Sequence, residues 1–188
     1  KVAKGKEPKW KDEYIPLMKE HDVPDWYIKS CEKIKYMFPK AHAAAYVTNA
    51  FRIAWFKVHI PLAYYAAYFS IRAKAFDASC MIFGKEKVKN KMKEIEMKNQ
   101  KKEATKAELD MYDDLEIVLE MYERGFEFLP VDLYESEATK FKVQENKLRP
   151  PLNSIPGFGG VAAQGIVEAR KDGKFMSIDD LKIRAKIG

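Results

Sequence analysis

Two cysteines and three histidines are all that the 188 residues hold of the side chains that most often ligate zinc or attack as nucleophiles. Cys31 and Cys80 stand alone, without a second pair at ligand spacing or a histidine cluster nearby. The sequence therefore predicts reduced thiols and no metal site. Long apolar runs are also missing. The most apolar stretch, 41–69, is interrupted by Arg52, Lys57, His59 and Pro61, which excludes a membrane span. No secretory signal is visible. No Walker loop, Ser-His-Asp order or HExxH motif is present. His21 and His59 have no partners at useful spacing. Asp113-Asp114 and Asp179-Asp180 fall on expected helices, where adjacent side chains diverge, whereas two-metal chemistry needs carboxylates that converge. The first pair reads as a solvated face. The second follows Ser177 and reads as an N-terminal cluster that complements a helix dipole.

What is present is a globular composition, 47% hydrophobic and 33% charged, with a formal net charge of +6. That length buries a core and holds one or two domains. The charge favours polyanionic partners, but modestly. By segment, 1–40 carries ten lysines against seven acids and 41–83 four basic residues against one acid. The segment 85–124 sets ten against eleven, and 125–188 ten against nine. The excess sits in the first eighty or so residues, and a solvated charged surface would explain it equally well.

Apolar spacing predicts a mainly α protein with one small β element. Helices are expected over 13–21, 26–37, 41–60 and 62–71, with Asp25 as an N-cap, Pro39 as a breaker and Pro61 as a stop. Two more, over 85–98 and 106–124, form a helical hairpin that turns near Asn99-Gln100. The second of these carries Leu109, Tyr112, Leu115, Val118, Leu119 and Tyr122 on one stripe, with Gly125 as its cap. Short strands come next, over 125–130 and 139–143. Glu145-Asn146 is the turn, 147–149 leads back, and Pro150-Pro151 separates this unit from the C-terminal segment. The expected division is 1–83, 84–149 and 150–188. The chain starts at Lys1 and stops within an apparent further turn after Lys182, so it reads as part of a longer polypeptide.

The most informative segment is 152–170. Pro156-Gly157-Phe158-Gly159 comes after an apolar lead-in and precedes an apolar helix ending at Arg170-Lys171. Glycines on both sides of one apolar residue permit a tight turn whose amides point outward at a helix N-terminus, where they attract an anion. A helix-hairpin-helix holds a nucleic-acid phosphate in this way, without reading bases. An αα-turn with a glycine cap is the plainer alternative; the Pro-Gly-x-Gly spacing and basic helix end favour the phosphate reading. Ser177 with Asp180 three residues on resembles a capping box with a shortened acid.

A second constellation spans 33–46. Lys33, Lys35 and Lys40 surround Pro39, and His42 and Tyr46 lie one helical turn apart, with Arg52 and Lys57 further on. Cations with an aromatic ring suit a nucleoside polyphosphate. Spacing alone, however, favours core packing for Tyr46 and a cap or core role for His42.

Residues 33–46, 52–59 and 61–65 closely resemble the fingers region of PolC-type bacterial DNA polymerase III. The likeness continues in order through 123–125, 131–134, 138–141, 150–159 and 173–181, leaving only the helices around 85–110 variable. The resemblance implies a helical fingers region followed by the start of a helix-hairpin-helix duplex-binding module. It further implies a replicative DNA-directed DNA polymerase, cytoplasmic, whose palm aspartates and their Mg2+ lie upstream, so that this piece alone is inactive and binds no cofactor. Lys35, Lys40, His42, Tyr46 and Arg52 are the implied contacts to the incoming dNTP, with Phe38 shaping the pocket. Gly157, Phe158, Gly159 and Arg170 are the implied contacts to duplex DNA. Primer-template DNA, the upstream palm and a sliding clamp, bound through a segment beyond this chain, are the implied partners. The rival reading is a free-standing helix-hairpin-helix accessory protein of repair or recombination. A hairpin-bearing glycosylase would need a catalytic Asp soon after a longer Gly-Pro motif, which is not found.

Overall fold

The computed structural model describes residues 9–34, 36–37 and 39–188. Contacts divide the chain into two compact units, Lys1–Ile53 and Ala54–Gly188, with the division inside one long helix.

In the first unit a π-helical turn, Trp10–Tyr14, runs into α1 (Ile15–Glu20), and α2 (Asp25–Glu32) comes next. Pro24, not Asp25, takes the N-cap position of α2, leaving Asp25 in the first turn where its charge favours the dipole. The helix expected over 26–37 ends at Glu32. Lys33 and Ile34 donate to the carbonyls of Ser30 and Cys31, so the last turn tightens to i, i+3 bonds and closes. Ile28 is the buried residue of α2. α3 (Lys40–His59) then runs uninterrupted and buries no residue.

The second unit holds the main core. α4 (Pro61–Ile71) starts with its proline in the first turn, where the missing amide costs nothing. It contributes Leu62, Tyr65 and Phe69 to a cluster with Cys80 and Met81 from the four-residue α5 (Ala78–Met81), which the spacing did not predict. Val88 and Ile95 come from α6 (Lys85–Gln100), and Leu115, Val118 and Met121 from α7 (Lys106–Glu123). These two helices form the expected hairpin. Thr105 and Glu108 close a full capping box at the start of α7. The α7 stripe is rotated from its expected position: Leu109 is exposed and Asp114 is buried. Asp113-Asp114 is thus not simply a solvated face. The Asp114 carboxylate accepts the Ala75 amide at 2.8 Å and so fixes the loop between α4 and α5. Burial, partly offset by that amide and the Lys74 amide, pushes its pKa up.

β1 (Lys142–Gln144) and β2 (Lys147–Arg149) pair antiparallel about Glu145-Asn146, and Leu148 also bridges to Phe128. The small β element is thus present, but the strand expected over 125–130 is reduced to the single bridge at Phe128, and that expected over 139–143 starts only at Lys142. Pro150 and Pro151 are buried and held in place: Ser136 Oγ donates to the Pro150 carbonyl at 2.7 Å. They connect to a 3-10 turn, Leu152–Ser154, then α8 (Gly160–Ala169), a 3-10 turn Arg170–Asp172, and α9 (Ile178–Ala185). Ala138, Leu152, Ala163, Ile166, Ala169 and Ala185 form a second, small-residue core beneath them. Among the described residues no helix is long and apolar enough to cross a membrane.

Candidate nucleic-acid interface

Leu152–Ser154, the turn 155–159 and α8 form a helix-hairpin-helix arrangement. Pro151 and Leu152 are buried, and the amides of Leu152 and Asn153 donate to the carbonyls of Glu137 and Ala138 at 2.9 and 3.1 Å, so the short first helix is tied to the preceding loop. The turn closes when Phe158 N donates to Ile155 O at 3.0 Å. Gly157 makes this possible with φ +77°, a conformation that a β-carbon opposes. Phe158 packs against the second core. Gly159 is the N-cap of α8 and provides no side-chain cap. The first intrahelical bond is Ala163 N to Gly159 O, so the amides of Gly160, Val161 and Ala162 have no acceptor within the helix. A Cβ built on Gly157 or Gly159 meets nothing within 4 Å. This end of α8 is open, and its amides and dipole favour an anion.

Arg170 sits at the other end of α8. Its Nη1 donates to the carbonyls of Leu133 and Ser136 at 3.0 and 2.6 Å, binding the module to the loop before β1. Arg184 does similar work for α9: it donates to the carbonyls of Ala169, Gly173 and Lys174, pairs with Asp180 and lies over the Phe175 ring. Ser177 caps α9 by accepting the Asp180 amide. Asp180 reaches back to Met176 N instead of Ser177 N, so the box is displaced by one residue. That amide and the Arg184 guanidinium hold the Asp180 carboxyl below its usual range.

On α3 the structure brings His42 and Tyr46 together, with ring centroids 4.4 Å apart. Tyr46 is 67% exposed, so it lies on an open helix face and not in a core. Lys40 opens the helix, and Arg52 lies about 15 Å beyond His42 along the axis. Lys35 and Phe38 lie outside the described residues. The far end of α3 is anchored by groups the sequence reading left aside. Arg124 donates to the Lys57 carbonyl and to the Tyr65 hydroxyl, both at 3.0 Å, and Lys57 pairs with Glu120 at 2.6 Å. Burial lowers the Lys57 pKa, but the hydrogen bond and charge of Glu120 outweigh it and the net direction is upward. A cation satisfying the last carbonyls of a long helix is a common C-terminal device. The signal for it was Glu120 and Arg124 one turn apart beside an aromatic segment.

Among the described residues no group of three His, Cys, Asp or Glu could hold a metal ion.

Residues 125–188 match the family described as the helix-hairpin-helix motif, which takes in the β-hairpin as well as α8 and α9. Over 171 residues, 91% of this chain, the sequence is 56% identical to the protein of Streptococcus suis (strain 98HAH33) named DNA polymerase III PolC-type. Proteins of the same name from Oceanobacillus iheyensis and Clostridium perfringens (strain 13 / Type A) are 53% identical over 99% of the chain and 51% identical over 100% of it. The chain spans 12% of the first relative's length and 13% of the other two. These overall identities of more than one half cover nearly the whole chain, not the matched motif alone, and on that ground the chain belongs to the PolC-type DNA polymerase III family.

Proposed function

We propose that this segment works within a DNA-directed DNA polymerase as its rear grip on duplex DNA and as part of the fingers over the incoming nucleotide. The observation that carries the first role is the open N-terminus of α8 behind Gly157-Phe158-Gly159, in a motif whose chemistry is phosphate binding through backbone amides. Gly157 and Gly159 admit the backbone of the nucleic acid. Phe158 anchors the turn, and Arg170 supports the module while adding positive charge at its edge. The grip is indifferent to sequence, because amides and cations meet phosphates and not base edges.

In the second role Lys40, His42, Tyr46 and Arg52, with Lys35, face the triphosphate and nascent base pair. Cations offset phosphate charge, and the tilted His42–Tyr46 pair offers an aromatic surface to base or sugar. The described residues do not fit a two-metal site, so no step of nucleotidyl transfer is assigned to them. In this reading the Mg2+-binding carboxylates belong to a palm domain elsewhere in the same cytoplasmic polypeptide, and the sliding clamp is reached through yet another segment. The accessory-protein alternative is disfavoured because the likeness to polymerases runs through α1 to α7, beyond the hairpin motif.

The test uses the full-length polymerase. Lys40→Ala and His42→Ala should raise the KM for dNTP or lower kcat; unchanged values of both would remove the nucleotide role. Gly157→Val should weaken primer-template affinity while leaving single-turnover incorporation intact at saturating DNA. Unchanged affinity would remove the grip.

A further inference from the structure

Close to the helix-hairpin-helix turn lies a second set of cations, at the entry to the β-hairpin. β1 covers only Lys142–Gln144, and residues 139–141 that lead into it are irregular. Phe141 is buried in the main core, with its amide donating to Ser70 Oγ at 2.9 Å. Lys140 and Lys142 flank it in sequence, and both are exposed. Other basic residues of the β-hairpin are engaged. Lys147 pairs with Glu127 at 2.6 Å, and Arg149 donates to Gln144 Oε1 and the Pro130 carbonyl. Among the described residues, Lys140 and Lys142 have no ion pair.

The segment leading into β1 also contacts the hairpin. Glu137 and Ala138 accept the amides of Leu152 and Asn153, and Thr139 Cγ2 lies 3.5 Å from where a Cβ on Gly160, the first residue of α8, would stand. Lys140 follows Thr139 directly and Lys142 lies two residues further on, so two exposed ammonium groups fall within three residues of this contact with the start of α8.

We propose that Lys140 and Lys142 form a second phosphate contact on duplex DNA, continuing the backbone grip that begins at the Gly157–Gly159 turn. This rests on the reading of that turn as a DNA grip. The competing explanation is that the two lysines only solubilise the strand face, and a control of equal charge separates the two.

The experiment titrates the 188-residue chain against a short mixed-sequence duplex over a range of salt concentrations. It includes Lys140→Gln/Lys142→Gln, Lys93→Gln/Lys102→Gln on and beside α6 as the control, and Gly157→Val. Losing two phosphate contacts should make the plot of log affinity against log salt shallower by about 2, while the control keeps the native slope. An unchanged slope in the Lys140/Lys142 variant would overturn the proposal, as would an equal loss in the control. In either case the turn reading still stands if Gly157→Val binds more weakly. No salt-dependent binding by the native chain would overturn both.

Discussion

At the residue scale, three positions carry constraints that substitution exposes directly. Gly165 lies where α8 passes α9, and a β-carbon there would overlap the Ala185 carbonyl. Because that contact is with backbone, it cannot yield by a rotamer change. Gly165→Ala should therefore cost about 1–3 kcal/mol, measured by denaturant unfolding; a neutral result would mean that the two helices separate freely. Gly157→Ala meets no steric obstacle, only the positive φ. It should cost about 1 kcal/mol, so any larger loss of DNA affinity belongs to the site. Cys80 is buried, and desolvation with the nearby Asp77 charge pushes its thiol up to about 11. Since the thiolate is the reactive form, alkylation of the native chain at neutral pH should label Cys31 and spare Cys80. Equal labelling would contradict the packing around α5.

Elements differ in what holds them. α7 is stabilised by local chemistry as well as packing. The Lys98 ammonium, with the Thr105 amide and hydroxyl, holds the Glu108 carboxyl down to about 2 from an ordinary 4.5. A depressed folded pKa stabilises above 4.5 and loses that effect as pH falls towards 2. The α6–α7 hairpin should accordingly weaken through this window, and Glu108→Gln should flatten that part of the stability profile. An identical profile would mean that the box contributes nothing. α3 is the opposite case. It buries no residue, and a helix of this kind draws little from packing. Hydrogen exchange should find its amides opening well before those of α6 and α7; equal protection would contradict the exposed helix.

These elements also show what the sequence made legible. The helices of 85–123 were readable because apolar periodicity and Gly125 agree, although the Thr105–Glu108 capping box went unnoticed. α5 was missed because four residues carry no period. Asp114 was misplaced because a charged residue on an apolar stripe looks solvated until the loop that needs its carboxylate is known. Lys140 and Lys142 fell within the strand expected over 139–143 and were not singled out. Their relation to the hairpin depends on the pairing of 137–138 with 152–153, which no local pattern encodes.

For the whole molecule, the charge count and the structure lead to different emphases. The positive excess lies in the first eighty or so residues, yet the open α8 terminus and the exposed Lys140 and Lys142 lie beyond 138. In the proposed function, backbone amides let a segment with almost balanced charge attract phosphate. The proposed role in a polymerase gives that attraction a setting, because such an enzyme would have to hold duplex of any sequence. The central claim is that this hold is electrostatic and made to the DNA backbone. Its most direct test is the affinity of the 188-residue chain for two duplexes of unrelated sequence, each measured across a salt series. The account predicts similar affinities, both falling linearly in log–log form with the same slope. Binding that ignores salt, or that strongly prefers one sequence, would contradict it.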